Sequence, residues 1–458
     1  MAKEFSRACS FDPSFEQLLP YALHWNTIVE EEDFREHPID RVQFEKLFDQ
    51  DGRLTDEQGF RKAVFRGGIA KDVRTEAWKF LYGYYPFQST KREREALDVE
   101  FHYRYEALKT RWKSVLGSWS EEAEVEENGE QNSDVNSTTN NSNSPINGCL
   151  NLAQDLTSVI KMGEDLSLPN KLHDDLHRYK FFEIQAKIYA SRQPIEKNLK
   201  SLKKTLRIID KDVPRTDRDL PFFGGKNNSN LEKLRDILVT FAVFHPDVTY
   251  AQGMNDILSR FLVVLNNEVE AYWCFTNYLE KIKMEFLEHG MLKKLESVQK
   301  LLKEIDPFLF QHLVICEVGD LMFCHRWLLL SFKREFIFEE CIRLFEIISS
   351  QHLELSSDEA ERWREMERAN NFLREGGRQR LAVADINTEF TFELFICVAI
   401  LHHHREDMKK CNDSASVFQF INGLTHKLNL TQVLAQAEGL VREYCRKSVI
   451  SNSFEMVD

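Results

Sequence analysis

An all-α fold follows from two features of the sequence. Strict apolar/polar alternation, the mark of a half-buried strand, is scarce along the 458 residues, whereas apolar residues three and four apart recur almost throughout. No internal repeat at a fixed period accompanies them, which counts against a solenoid. With 42% apolar residues the chain is long enough to build one large or two ordinary domains with sizeable cores.

From the N-terminus inward, Met1 to Arg7 lacks the apolar core of a signal peptide, and no stretch approaches the ~20 apolar residues a spanning helix needs. A cytoplasmic protein without a transmembrane segment is expected, and the Asn-x-Ser/Thr matches at Asn136, Asn140 and Asn412 read as chance. Lys plus Arg number 60 against 74 Asp plus Glu, a net charge of -14, so the cationic surplus of a nucleic-acid binder is missing. The nine cysteines are scattered without CxxC spacing, several in apolar runs such as Trp273-Cys274-Phe275, as expected of reduced, buried thiols.

The acidic run Glu121 to Asp134 continues into a Ser/Thr/Asn tract ending near Gly148, and residues 118–149 are expected to form a disordered insertion. Ile195, Leu199, Leu202, Leu206 and Ile209 then lay an apolar stripe on a helix over 195–210, with Lys197, Lys200, Lys203 and Lys204 on its wet faces. Leu231, Leu234, Ile237, Leu238 and Phe241 form a second stripe. Met254, Ile257, Leu258, Phe261, Leu262 and Leu265 form a third. A second insertion, 352–385, carries charge of both signs and reads as an exposed helix ending at Gly376-Gly377.

Two helix ends offer polar side chains. In Ile209-Asp210-Lys211-Asp212-Val213-Pro214-Arg215, proline removes a backbone donor and should end the first helix, leaving Arg215 on a loop. Its planar fork suits charge spread over phosphate oxygens. Taken alone it reads as a surface arginine among Lys211, Asp217 and Arg218. In Tyr250-Ala251-Gln252-Gly253-Met254, His245-Pro246 breaks the preceding helix and Gly253 permits an unusual backbone angle, so Gln252 is expected at a turn. An amide that donates to one partner and accepts from another can orient a water. Taken alone it reads as a capping or loop residue.

Together these segments resemble the TBC-domain Rab GTPase-activating proteins. Three fingerprints stand in the family's order: Arg74 to Trp78 for RxxxW, Ile209 to Arg215 for IxxDxxR, and Tyr250 to Gln252 for YxQ. Phe65-Arg66-Gly67-Gly68-Ile69, Gln252 to Asp256 and Arg326 to Phe336 surround them in keeping. The resemblance implies a two-lobed helical domain over 43–447, with an N-terminal extension over 1–42 and a C-terminal tail over 448–458. It implies that Arg215 and Gln252 act in trans on a GTP-bound Rab small GTPase, in a route regulating vesicle and membrane trafficking. Asp212, Tyr250 and Arg74 would support the two fingers, while Trp78 and Ile209 are core. Phe345 stands where many relatives have tryptophan, a change of packing alone. GTP and Mg²⁺ would be carried by the partner, which fits the absence of a GxxxxGK[ST] cradle; no cofactor or metal of its own is expected, and membrane association would be peripheral, through the partner. A catalytically idle TBC module that serves as a Rab-binding scaffold is the competing reading.

Two baits are set aside. Consecutive helical positions point ~100° apart, so His402-His403-His404 cannot all face one ion. Asp49 to Arg53 lacks the later acidic ligands of a calcium loop and reads as a turn.

Overall fold

The computed structural model describes residues 36–129, 170–195, 199–248, 250–374 and 390–454. Most of the 1–42 extension, positions 130–149 of the first insertion, 375–385 of the second and 455–458 of the tail lie outside these residues. The fold is all-α; among the described residues, extended pairing is confined to the isolated bridges Ile39–Ile69 and Phe48–Leu54.

In chain order the helices are α1 (Arg41–Glu45), α2 (Glu57–Gly67), α3 (Lys71–Leu81), α4 (Lys91–Gly129), α5 (Asn170–Arg192), α6 (Leu199–Asp212), α7 (Ser229–Phe244), α8 (Met254–Leu265) and α9 (Glu268–Ile282). They continue as α10 (Glu288–Ile305), α11 (Pro307–Ile315), α12 (His325–Leu329), α13 (Phe338–Ser350), α14 (Asp358–Arg374), α15 (Phe392–His403), α16 (Arg405–Met408), α17 (Ser414–Asn422) and α18 (Leu430–Phe454). They fall into two compact units. One takes the described residues up to Asp49, Leu54–Leu81 and everything from Lys281; the other takes Gln50–Arg53 and Tyr82–Glu280.

In the first unit the apolar core runs from Phe65 through Leu301, Trp327, Leu344 and Phe395 to Val441. The charged α14 belongs to it. The expectation of an exposed helix is corrected here, because Ala360, Trp363, Arg364 and Ala369 are buried and α14 packs on α18. Arg364 can go inside because its guanidinium is satisfied. Arg364 donates to the Leu355 carbonyl and pairs with Glu361, and the Arg442 guanidinium lies 5.0 Å over the Trp363 ring.

In the second unit α7 packs against α4, α6 and α8. All six residues of the Met254 to Leu265 stripe are buried, as are Leu202 and Ile209 on α6. Trp112 donates to Thr240 Oγ1 at 2.9 Å, joining α4 to α7. Two boundaries differ from the sequence reading. α4 continues as helix to Gly129, into the acidic run, in keeping with the good helix propensity of glutamate. α6 starts at Leu199 rather than Ile195, with 196–198 outside the described residues, and runs on to Asp212.

Among the described residues the cysteines, at 274, 316, 324, 341, 397, 411 and 445, are buried free thiols. The histidine run diverges: His402 Nδ1 sits 3.2 Å from Asp306, and His403 Nδ1 sits 3.1 Å from Gln436. No helix of the described residues is long and apolar enough to cross a membrane.

Candidate functional site

Proline shapes the end of α6 more tightly than an open loop. Val213–Arg215 form a single 3₁₀ turn, closed by the Thr216 N–H on the Val213 carbonyl at 3.2 Å. Pro214 is tolerated because the first residues of such a turn have no donor to satisfy. The turn projects Arg215 outward. Its side chain is 59% exposed, yet its Nε donates to Asp212 Oδ1 at 3.1 Å and Nη2 donates to the same oxygen. Nη1 carries no hydrogen bond among the described residues, so one edge of the fork is pinned and the other is offered. The bonds to Asp212 hold the guanidinium protonated even more firmly than usual.

The second polar residue comes from the break after α7. His245 ends that helix, and the chain re-enters α8 through Gly253 at φ +110°, a left-handed conformation that side-chain-bearing residues rarely adopt. Gln252 sits on the turn just before it. It is exposed, and none of the hydrogen bonds among the described residues uses its amide.

One carboxylate ties the two segments together. Asp212 is nearly sealed, and its Oδ2 accepts the Tyr250 hydroxyl at 3.0 Å. Burial, with Asp212 alongside, pushes the Tyr250 phenol well above its ordinary range, so it stays a donor at any physiological pH. Asn255 and Thr216 complete the network: the Asn255 amide donates to Thr216 Oγ1 at 2.9 Å, and the Thr216 hydroxyl donates to the Asp212 carbonyl at 2.8 Å. The sequence reading gave these two no role. The available signal was an asparagine, a weak helix former, in the first turn of a mostly apolar helix.

Arg74 is built into the first unit instead. Its Nε lies 2.8 Å from Glu346, Nη2 donates to the Ile69 carbonyl at 2.8 Å, and Nη1 reaches Glu339. Glu346 also accepts Trp78 Nε1 at 2.8 Å and the Ile69 N–H at 3.0 Å. Trp78 is fully buried, 5.9 Å from the Phe345 ring. Arg74 therefore braces a buried motif, while Arg215 and Gln252 stand exposed in the second unit.

The Rab-GTPase-TBC domain family model matches residues 168–356. Over these residues the chain is similar to TBC domains. The match spans the second and third fingerprints, with Ile209, Asp212, Arg215, Tyr250 and Gln252 inside it; Arg74 and Trp78 precede it. TBC1 domain family member 17 of Homo sapiens is 28% identical over 435 residues, covering 94% of this chain and 49% of that protein. GTPase-activating protein GYP7 of Candida glabrata is 28% identical over 317 residues, covering 68% of this chain and 35% of that protein. The chain thus spans about half or less of the length of these curated relatives. The Ypt/Rab-GAP domain of Gyp1p shares the TBC fold, with a TM-score of 0.52 at 17% identity over 88% of this chain and 98% of that domain.

Proposed function

We propose that this chain stimulates GTP hydrolysis by a Rab-family small GTPase, with Arg215 and Gln252 acting in trans. The observation that carries the reading is the pairing of an exposed, half-pinned guanidinium with an exposed amide, both anchored through Asp212 and Tyr250. Phosphoryl transfer needs positioning and charge stabilisation more than covalent chemistry from the protein. A guanidinium supplies charge to the phosphate oxygens, and an amide holds the attacking water in line. Nucleotide and Mg²⁺ come with the partner. In this reading the protein works in the cytoplasm, reaches endomembranes peripherally through its GTPase and thereby regulates vesicle traffic.

The test is single-turnover hydrolysis across a panel of GTP-loaded Rab proteins, followed on the responding Rab by four combinations of wild-type and alanine-substituted glutamines. A Rab lacking its own switch glutamine should still respond to the wild-type chain. Gln252→Ala should remove the response, through kcat more than KM. If stimulation survived Gln252→Ala but vanished when the Rab lost its glutamine, the two-finger reading would be wrong. A Rab that binds tightly yet hydrolyses at its basal rate would identify a scaffold.

A further inference from the structure

The geometry points to Asn255 and Thr216 as positioning residues that clamp the Arg215 turn to the Gln252 turn, so that the two side chains are placed as one unit. The inference rests on the reading of Arg215 and Gln252 as the working groups. Asn255 lies in the first turn of α8 and is almost fully buried, as is Thr216. Its amide oxygen accepts the Gly253 N–H at 3.1 Å, fixing the peptide that follows Gln252. Its amide nitrogen donates to Thr216 Oγ1 at 2.9 Å, and Thr216 passes its own proton to the Asp212 carbonyl at 2.8 Å, next to the turn that carries Arg215. The Tyr250 proton goes to Asp212 at 3.0 Å, with the 3.3 Å approach to Asn255 Oδ1 as the weaker arm.

This clamp needs a neutral group that donates on one side and accepts on the other, which among short side chains an amide provides. Aspartate would keep the acceptor but lose the donor, and would set a second carboxylate beside Asp212. Thr216 must likewise accept and donate at one atom, which a hydroxyl does and a methyl cannot. Neither residue reaches the surface as the fingers do, so they act by aim: a small displacement of a reacting group costs rate without much cost in binding.

Thr216→Val removes the hydroxyl at nearly constant volume, and Thr216→Ser restores it. On a responding GTPase, Thr216→Val should lower kcat by ~10-fold or more with KM within ~3-fold, and Thr216→Ser should recover most of the rate. Asn255→Leu should cost at least as much, and combining it with Thr216→Val should add little, because both break one path. Wild-type kcat in Thr216→Val, or fully additive losses, would overturn the clamp. A partner-free readout separates this from the functional reading. Nitrogen-15 NMR follows the Arg215 Nε–H and the Asn255 side-chain amide, which should lose their protection from exchange in Thr216→Val and keep it in Thr216→Ser. Unchanged signals would overturn the clamp even in an active protein. A wild-type chain inert on every GTPase would sink the functional reading, with the NMR comparison still deciding whether the two turns are joined.

Discussion

Glu346 in the first unit and Asp212 in the second are made of the same parts: a buried carboxylate, an arginine from a fingerprint motif, and an aromatic donor. Glu346 takes Arg74 and Trp78 Nε1; Asp212 takes Arg215 and the Tyr250 hydroxyl. The difference lies in the arginine. The Arg74 side chain is 13% exposed and its three nitrogens all face partners within its own unit, whereas Arg215 is 59% exposed with no hydrogen bond at Nη1 among the described residues. A sealed arginine stabilises and an open one is available. Motif membership alone does not tell them apart.

The contrast would be sharpened most by Arg215→Lys. An arginine finger is worth ~10³ to 10⁵ in rate, and a lysine cannot reproduce the fork, so stimulated single-turnover hydrolysis should fall by ~10³ or more. Stability should move little, since Arg215 is largely exposed and lysine keeps a cation beside Asp212. Retention of more than about a tenth of the activity would mean that exposure had been mistaken for function.

The mirror experiment is Glu346→Gln, which strips the charge opposite Arg74 and turns an amide donor toward the Trp78 and Ile69 donors. Arg74 keeps Glu339 and the Ile69 carbonyl, so the main cost is a buried donor left unsatisfied opposite Trp78 and Ile69, ~1–3 kcal/mol, read as a lower denaturation midpoint. Activity per folded molecule should stay within ~3-fold of wild type. A stable but inactive Glu346→Gln protein would break the comparison.

How far the sequence could be read follows from the same contrast. The apolar stripes of α6, α7 and α8, the break at His245-Pro246 and the left-handed Gly253 were legible because each is decided within a few residues. The burial of the charged α14 is not legible in its own segment, because it depends on α18, whose Arg442 lies over the Trp363 ring and whose Cys445 meets Arg364. Its motif alone puts Arg74 among the finger supports, whereas the carboxylates of Glu346 and Glu339, far along the chain, show that it braces the first unit. Asn255 stood in plain view beside Gln252, but its role requires Thr216, which the sequence sets on another helix end.

A pH series probes the same division at lower amplitude. In the first unit the Glu354 carboxyl, which accepts the Phe392 N–H at 3.0 Å, is pushed up to about 8 by burial and by Glu393. Glu285 is raised for the same reasons, against the pull of Lys294, which both Glu285 and Glu393 contact. A carboxyl with a raised folded-state pKa binds its proton more tightly in the native state, so stability is fullest at or below the ordinary value of 4.5 and declines as pH rises through about 8. Denaturation midpoints across that window should fall, and Glu354→Gln should flatten the slope by imitating the protonated form. An unchanged slope in Glu354→Gln would remove this carboxyl from the account. The charge on Arg215 does not titrate anywhere in the window.

The smallest effect expected is that of Tyr250→Phe, the second unit's counterpart to losing the Trp78 donor. The ring stays buried and only the hydroxyl is lost, so Asp212 Oδ2 surrenders its 3.0 Å bond while Oδ1 keeps Arg215. A net hydrogen bond to a charged group contributes ~1.5–3 kcal/mol, and because the outward-facing Asp212–Arg215 pair remains, the loss of stability should lie near the lower end. The effect on rate should be larger than that on stability would suggest. Without the Tyr250 hydroxyl, Asp212 Oδ2 has no hydrogen-bond partner among the described residues, so the carboxylate can turn together with the guanidinium even with the backbone held, and ~10-fold in kcat at nearly constant KM is the expected loss. Paired single-turnover and denaturation measurements on Tyr250→Phe and Arg215→Lys decide the matter. If Tyr250→Phe destabilised the protein strongly and left kcat untouched, Asp212 would be a second Glu346, a structural carboxylate whose arginine is exposed only by accident.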